Sequence, residues 1–149
     1  MAQQTYPIPK SNPNAHMSIT FLLLWLVNGL VIALANFLMP RDIVLATISI
    51  SHIAALVLSS GILAWFATVT LPLFTEIEIR KKMILTPLHW MIGYFIINTC
   101  AVWIIARFSD TIGLGVSSWF FVLVLAALLD VVQGMTMMAY GEMNKKKKS

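Results

Sequence analysis

Charged side chains are scarce in this sequence. Ten Lys or Arg and six Asp or Glu make up 11% of its 149 residues, where a water-soluble domain carries about a quarter. A surface so poor in charge would not stay dissolved. With 59% hydrophobic residues, the chain is expected to have lipid as its solvent. Cysteine is nearly absent. Cys100 stands alone, so no intrachain disulfide can form and its expected role is small-residue packing. There are three histidines, and His52 has no second His, Cys or carboxylate at ligand spacing within its helix. That excludes a metal site of the usual pattern. The sequence has no phosphate loop, nucleophile elbow, HExxH or paired acids in one span. Neither an enzyme nor a cofactor is expected.

What is abundant is uninterrupted apolar sequence. No Lys, Arg, Asp or Glu occurs from Met17 to Met39, Ile43 to Thr75, Met83 to Ala106 or Thr111 to Leu129. A membrane-crossing helix takes roughly 20 such residues. The expected fold is an all-α membrane protein with four transmembrane helices, at 17–39, 44–69, 87–107 and 116–139. The first run is too long for a signal peptide and has no small-residue cleavage site. Short connections make the spans two antiparallel hairpins. MPRDI, with Pro40, joins the first pair, and RFSDTIGLG joins the second. Pro72 is expected to end the second span. Thr75 and Glu78 have capping-box spacing for a short surface helix in TEIEIRKK, while its alternating Ile and charge fit an extended segment at the membrane surface equally well. Thr86 followed by Pro87 reads as a helix start. The chain therefore divides into an irregular N-terminal arm at 1–16, a membrane domain at 17–140 and a basic tail at 141–149.

Helix count puts Lys10, Arg80, Lys81, Lys82, Lys145, Lys146, Lys147 and Lys148 on one side and only Arg41 and Arg107 on the other. That bias predicts cytoplasmic termini for a multi-pass protein of the cell membrane, the bacterial inner membrane. The basic loop and tail are expected to lie against anionic headgroups. A lysine run with no folded domain to position it gives no reason to expect nucleic-acid binding. Trp25, Trp65, Trp90 and Trp119 suit the aromatic belts of a bilayer.

One acid lies deep in a span. An aspartate at the centre of a membrane helix costs roughly 2.5–3.5 kcal/mol on insertion scales, so Asp130 is a functional candidate. Counting residues from the span ends puts it level with Tyr94, Ser59 and Ser60, with Gln133 one turn away. His52, Asn28 and Asn98 form a shallower layer. Ala126, Asp130 and Gly134 share a helix face, as do Ser51, Ala55 and Ser59, and Gly29 pairs with Ala33. Such spacing of small residues lets helices approach closely, so Asp130 is expected to face protein. An uncharged Asp130 bonded to a serine or tyrosine would lock a helix pair. The alternatives are an ion or proton route through Asp130 and His52, or contact with another subunit. A shift of 70 residues lays Asn28 on Asn98, which suggests a repeat about an axis along the membrane normal.

Three strings carry a family resemblance: WLVNGLVIALANFLMP (25–40), TLPLF (70–74) and IINT (96–99). The chain resembles the small four-helix phage holin family, whose members also occur on bacterial chromosomes. The shared pattern covers the first three spans. It has an Asn in the first, a Pro near its turn, Thr-Leu-Pro-Leu ending the second and an Asn in the third. The segment TEIEIRKK replaces the family's short Gly-containing link, and Asp130 lies outside the pattern. The resemblance implies a small oligomerising membrane protein. The functional expectation is a non-enzymatic protein acting by helix–helix association, as a holin-like homo-oligomer or an accessory subunit of a membrane complex. The alternative is a small ion- or proton-coupled transporter or channel using Asp130.

Overall fold

A computed structural model describes residues 13–81 and 86–146. Lys10, Lys82, Lys147, Lys148 and residues 1–12 of the expected arm lie outside them. The elements in chain order are α1 (Pro13–Leu38), β1 (Ile43–Leu45), α2 (His52–Lys81), α3 (Pro87–Arg107), α4 (Ser109–Ile112), β2 (Leu114–Val116) and α5 (Trp119–Lys146). Four of these, α1, α2, α3 and α5, are long and apolar enough to cross a membrane. They close a ring in which α1 touches α2 and α5, and α3 touches the same two.

Large apolar side chains cover the outside of the bundle as well as its core. On α1 the outward stripe is Leu22, Leu26, Leu30, Leu34 and Phe37. Its inward stripe is Thr20, Leu24, Asn28, Val31, Ile32 and Ala35. Across the bundle the buried set includes Ser59, Ser60, Thr68, Thr70, Asn98, Asp130 and Gln133. Large apolar residues gain little by leaving acyl chains, so small and polar groups can share the interior with Ile32, Leu63, Ile105, Leu125 and Leu129.

The repeat is one of burial more than of identity. Asn28, Val31, Ile32 and Ala35 recur 70 residues on as Asn98, Ala101, Val102 and Ile105, and all eight are buried. Ala55, Ser59, Ser60 and Leu63 likewise recur as Leu125, Leu129, Asp130 and Gln133. The strands β1 and β2 belong to the two halves and pair antiparallel, Val44 opposite Gly115 at the centre.

That small sheet is an addition to the mostly helical fold, and it corrects the second span's expected start at residue 44. Ile43 and Leu45 are buried while Val44 is exposed, a period of two that a helix cannot use. Pairing with β2 gives these backbone groups partners, and α2 begins only at His52. Asp42 fastens the edge. Its carbonyl accepts from the Ser117 N–H at 2.8 Å and its carboxylate from the Ser117 hydroxyl at 2.8 Å. Asn36 donates to the Ile43 carbonyl at 2.7 Å.

Pro72 does not end α2 as expected; it lies inside the helix. Leaving the helix there would strand backbone groups in lipid, which outweighs one missing N–H. Thr75 is accordingly no cap, and its hydroxyl donates to the Leu71 carbonyl at 3.1 Å. Glu76 and Arg80 pair across the next exposed turn at 2.9 Å. The arm and tail boundaries also move. The helix already runs from Pro13, and α5 continues to Lys146, since a single Gly141 weakens a helix without stopping it. The start of α3 is as expected, with Thr86 capping and Pro87 in the first turn.

Ala46 follows β1 at φ 92°, a left-handed conformation that costs an L-residue about 1–2 kcal/mol. Glycine pays no such cost but orders a freer chain, at about 0.5–1 kcal/mol. Ala46→Gly is therefore expected to raise stability by a few tenths to about 1 kcal/mol. A higher midpoint of thermal unfolding in detergent checks it, and a fall in midpoint would contradict it.

Candidate functional site

The interior polar groups divide into those used by their own helix and those that cross between helices. Ser59 donates to the Ala55 carbonyl at 2.6 Å, and Ser60 to Leu56 at 2.6 Å. Thr70, Thr99 and Thr136 do the same to Phe66, Phe95 and Val132. In an apolar medium the nearest carbonyl is one turn back, so these hydroxyls are spent locally.

Three amides cross instead. Gln133 on α5 donates to the Asn28 side-chain oxygen on α1 at 2.8 Å. Asn98 on α3 donates to the Gln133 side-chain oxygen at 3.0 Å, and Gln133 donates back at 3.4 Å. All three residues are buried, so one side chain ties three helices. Counting along the spans placed Asn28 and Asn98 in one layer and Gln133 in another. The count followed Cα positions, whereas helical side chains lean towards their own N-terminus. Trp103 meets Trp119 while Asn98 meets Gln133, so α3 and α5 run oppositely. Asn98 and Gln133 therefore lean towards each other across several residues of depth.

Asp130 does not make the lock expected of it. It is 9% exposed, and no hydrogen bond or ion pair reaches its carboxyl group among the described residues. The candidate serines, Ser59 and Ser60, are bonded along α2. Asp130 instead lines a half-open cavity of about 470 Å³ between α3 and α5, with Leu24 and Leu71 also contributing. Tyr94 and Trp90 form one wall with rings stacked at 6.0 Å, and Phe74 supports both at 5.8 and 4.8 Å. Phe74 sits against Gly93, where no side chain would fit. Met91, Met135, Met137 and Met138 supply much of the remainder. The sequence reading missed Phe74, Gly93 and the methionines, because neither their spacing nor their type sets them apart from lipid-facing residues.

Other expected site residues scatter. His52 is exposed at the first turn of α2, at the end of the bundle that carries the sheet. His89 bonds the Thr86 hydroxyl through Nδ1 at 2.6 Å. Ser51 is exposed and accepts from the Ala54 N–H at 3.3 Å. It caps α2 rather than packing, because the helix starts one residue later. Gly29 lies 3.6 Å from the Ser60 hydroxyl when given a Cβ. Ala55 and Ala126 are buried, Ala33 is half-buried, and Gly134 has open space beside it. Trp25, assigned from sequence to an aromatic belt, donates to the Val57 carbonyl at 3.2 Å and covers Gly61. Of the basic surface residues, Arg80 is exposed, and Lys81, Lys145 and Lys146 close α2 and α5.

Comparison with family models, with characterised proteins and with solved structures returns no match for this chain.

Proposed function

We propose that this chain is a non-enzymatic integral membrane protein that acts by helix–helix association, as a holin-like homo-oligomer or as an accessory subunit of a membrane complex. The observation that carries the reading is the outer face of α5. Ala127 and Gly141 stand on it fourteen residues apart, two seven-residue repeats. A Cβ added at Gly141 meets nothing within 4 Å. Residues without bulk on a lipid-facing helix gain no contact with acyl chains. They are useful where a second helix comes close, and seven-residue spacing keeps such a seam in register along two helices.

The same reading arranges the spans as two antiparallel hairpins with both termini cytoplasmic. The Lys and Arg bias supports it, through anionic headgroups at the basic loop and tail. The bacterial inner membrane is the compartment this implies.

The test is mass in a mild detergent, against a monomer of 16.6 kDa. Wild type is expected to run as an oligomer. Ala127→Leu combined with Gly141→Leu is expected to return it to the monomer with its helicity intact. A strictly monomeric wild type that captures no partner in native membranes would end the proposal.

A further inference from the structure

The cavity beside Asp130 departs from the fold's own repeat. Seventy residues earlier, the equivalents of Asp130, Val131, Gly134 and Met137 are Ser60, Gly61, Ala64 and Ala67. There the helices close: Ala64 and Ala67 are buried with Leu24 in one cluster, and Trp25 covers Gly61. In the second half the same place is held open. Large side chains stand on both helices, Tyr94 takes the place of Leu24, and a Cβ at Gly134 finds no neighbour. Among the described residues the one acid that lines the cavity is Asp130, a residue 9% exposed whose carboxyl group opens into the space without a hydrogen bond or ion pair. No Lys, Arg or His among the described residues lines the space.

From these features we infer that the cavity between α3 and α5 binds a hydrophobic organic monocation, a bulky amine or quaternary onium ion. The size, about 470 Å³, lies in the range of small-molecule sites. A single negative charge among apolar walls selects one positive charge on an apolar body. Trp90 and Tyr94 line the space, and aromatic rings attract a cation through their quadrupoles. Methionines adapt to ligands of varied shape. An acyl chain would satisfy the walls but leave the acid without a partner, and an anion would be repelled by it. The inference goes beyond association and does not rest on it.

The probe is tetraphenylphosphonium, with tetraphenylborate as a control of matching shape and opposite charge. Both are titrated into the full-length protein in nanodiscs, with empty nanodiscs as background. Saturable binding of the cation alone is expected. Asp130→Asn, which keeps the side chain's shape, should weaken it about tenfold or more. Met91→Trp, which fills the cavity from α3 and leaves the acid in place, should weaken it as well. Oligomer mass is measured on the same samples, so a failure of association is read separately. Equal binding of the borate, unchanged affinity in Asp130→Asn, or no saturation above empty nanodiscs overturns the site. If Asp130→Asn does not fold, unchanged affinity in Met91→Trp overturns it.

Discussion

Gly113→Val is expected to destabilise the fold severely, because two independent costs fall on one residue. Gly113 has φ 90°, where a side chain costs about 1–2 kcal/mol, and a β-branched one is a genuine outlier. A Cβ there would also stand 2.5 Å from the Ala55 Cβ and 3.1 Å from the Ala55 Cα and an Ile50 methyl group. Overpacking of that kind typically costs about 1–3 kcal/mol, and Ala55 is at 0% exposure with nowhere to move. The backbone cannot rotate away either. The Gly113 N–H donates to the Ser109 carbonyl at 2.7 Å, and its own carbonyl accepts from Ala46 at 2.8 Å. The total is about 2–5 kcal/mol, which at its upper end reaches the low end of a small protein's whole stability, about 5 kcal/mol. Gly115→Ala is the control. Its added Cβ would lie 4.0 Å from its neighbours, and little change is expected. Monodisperse yield and thermal midpoint in detergent decide the matter. A Gly113→Val protein that melts with wild type would show that the sheet end does not hold the four helices together.

The sequence told most where the solvent alone decides. Four runs without charge gave four helices able to span a membrane, and Thr86-Pro87 marked the start of α3 because a cap and a proline act locally. It told least where distant segments decide. Ile43–Leu45 and Leu114–Val116 are strands of three residues inside apolar stretches. Their alternation is too short to stand out, and the pairing that makes them strands lies across the repeat. Pro72 misled because its penalty is local while lipid penalises the alternative more. Asn28, Asn98 and Gln133 were all candidates, but the bond among them depended on side-chain lean that a Cα count does not contain. Asp130 was found by its cost in the membrane. That it opens into a cavity depends on Tyr94, Trp90 and Gly134, which composition does not single out.

Gln133→Leu is expected to cost about 2–4 kcal/mol, more than replacing either asparagine it holds. A single hydrogen bond inside a membrane protein averages only about 0.6 kcal/mol, with a maximum near 1.7. The larger figure comes from what the substitution leaves behind. Gln133 takes part in every bond of the lock, so its loss orphans the Asn28 oxygen and both ends of the Asn98 amide at 0–1% exposure. A buried polar group stripped of its partner costs about 1–3 kcal/mol. Asn28→Leu breaks one bond, leaves the Asn98–Gln133 pair intact, and removes the Asn28 Nδ2, a donor already without a partner. Its expected cost is about 1 kcal/mol or less. The triple replacement of Asn28, Asn98 and Gln133 by Leu leaves no orphan and should return to within about 1 kcal/mol of wild type. Non-additivity of that sign is the signature of a network rather than three separate contacts. Unfolding of the four proteins by detergent titration measures it. If Gln133→Leu were no worse than Asn28→Leu, the glutamine would not be joining α1, α3 and α5. The triple variant would then lose stability in proportion to its changes instead of recovering it.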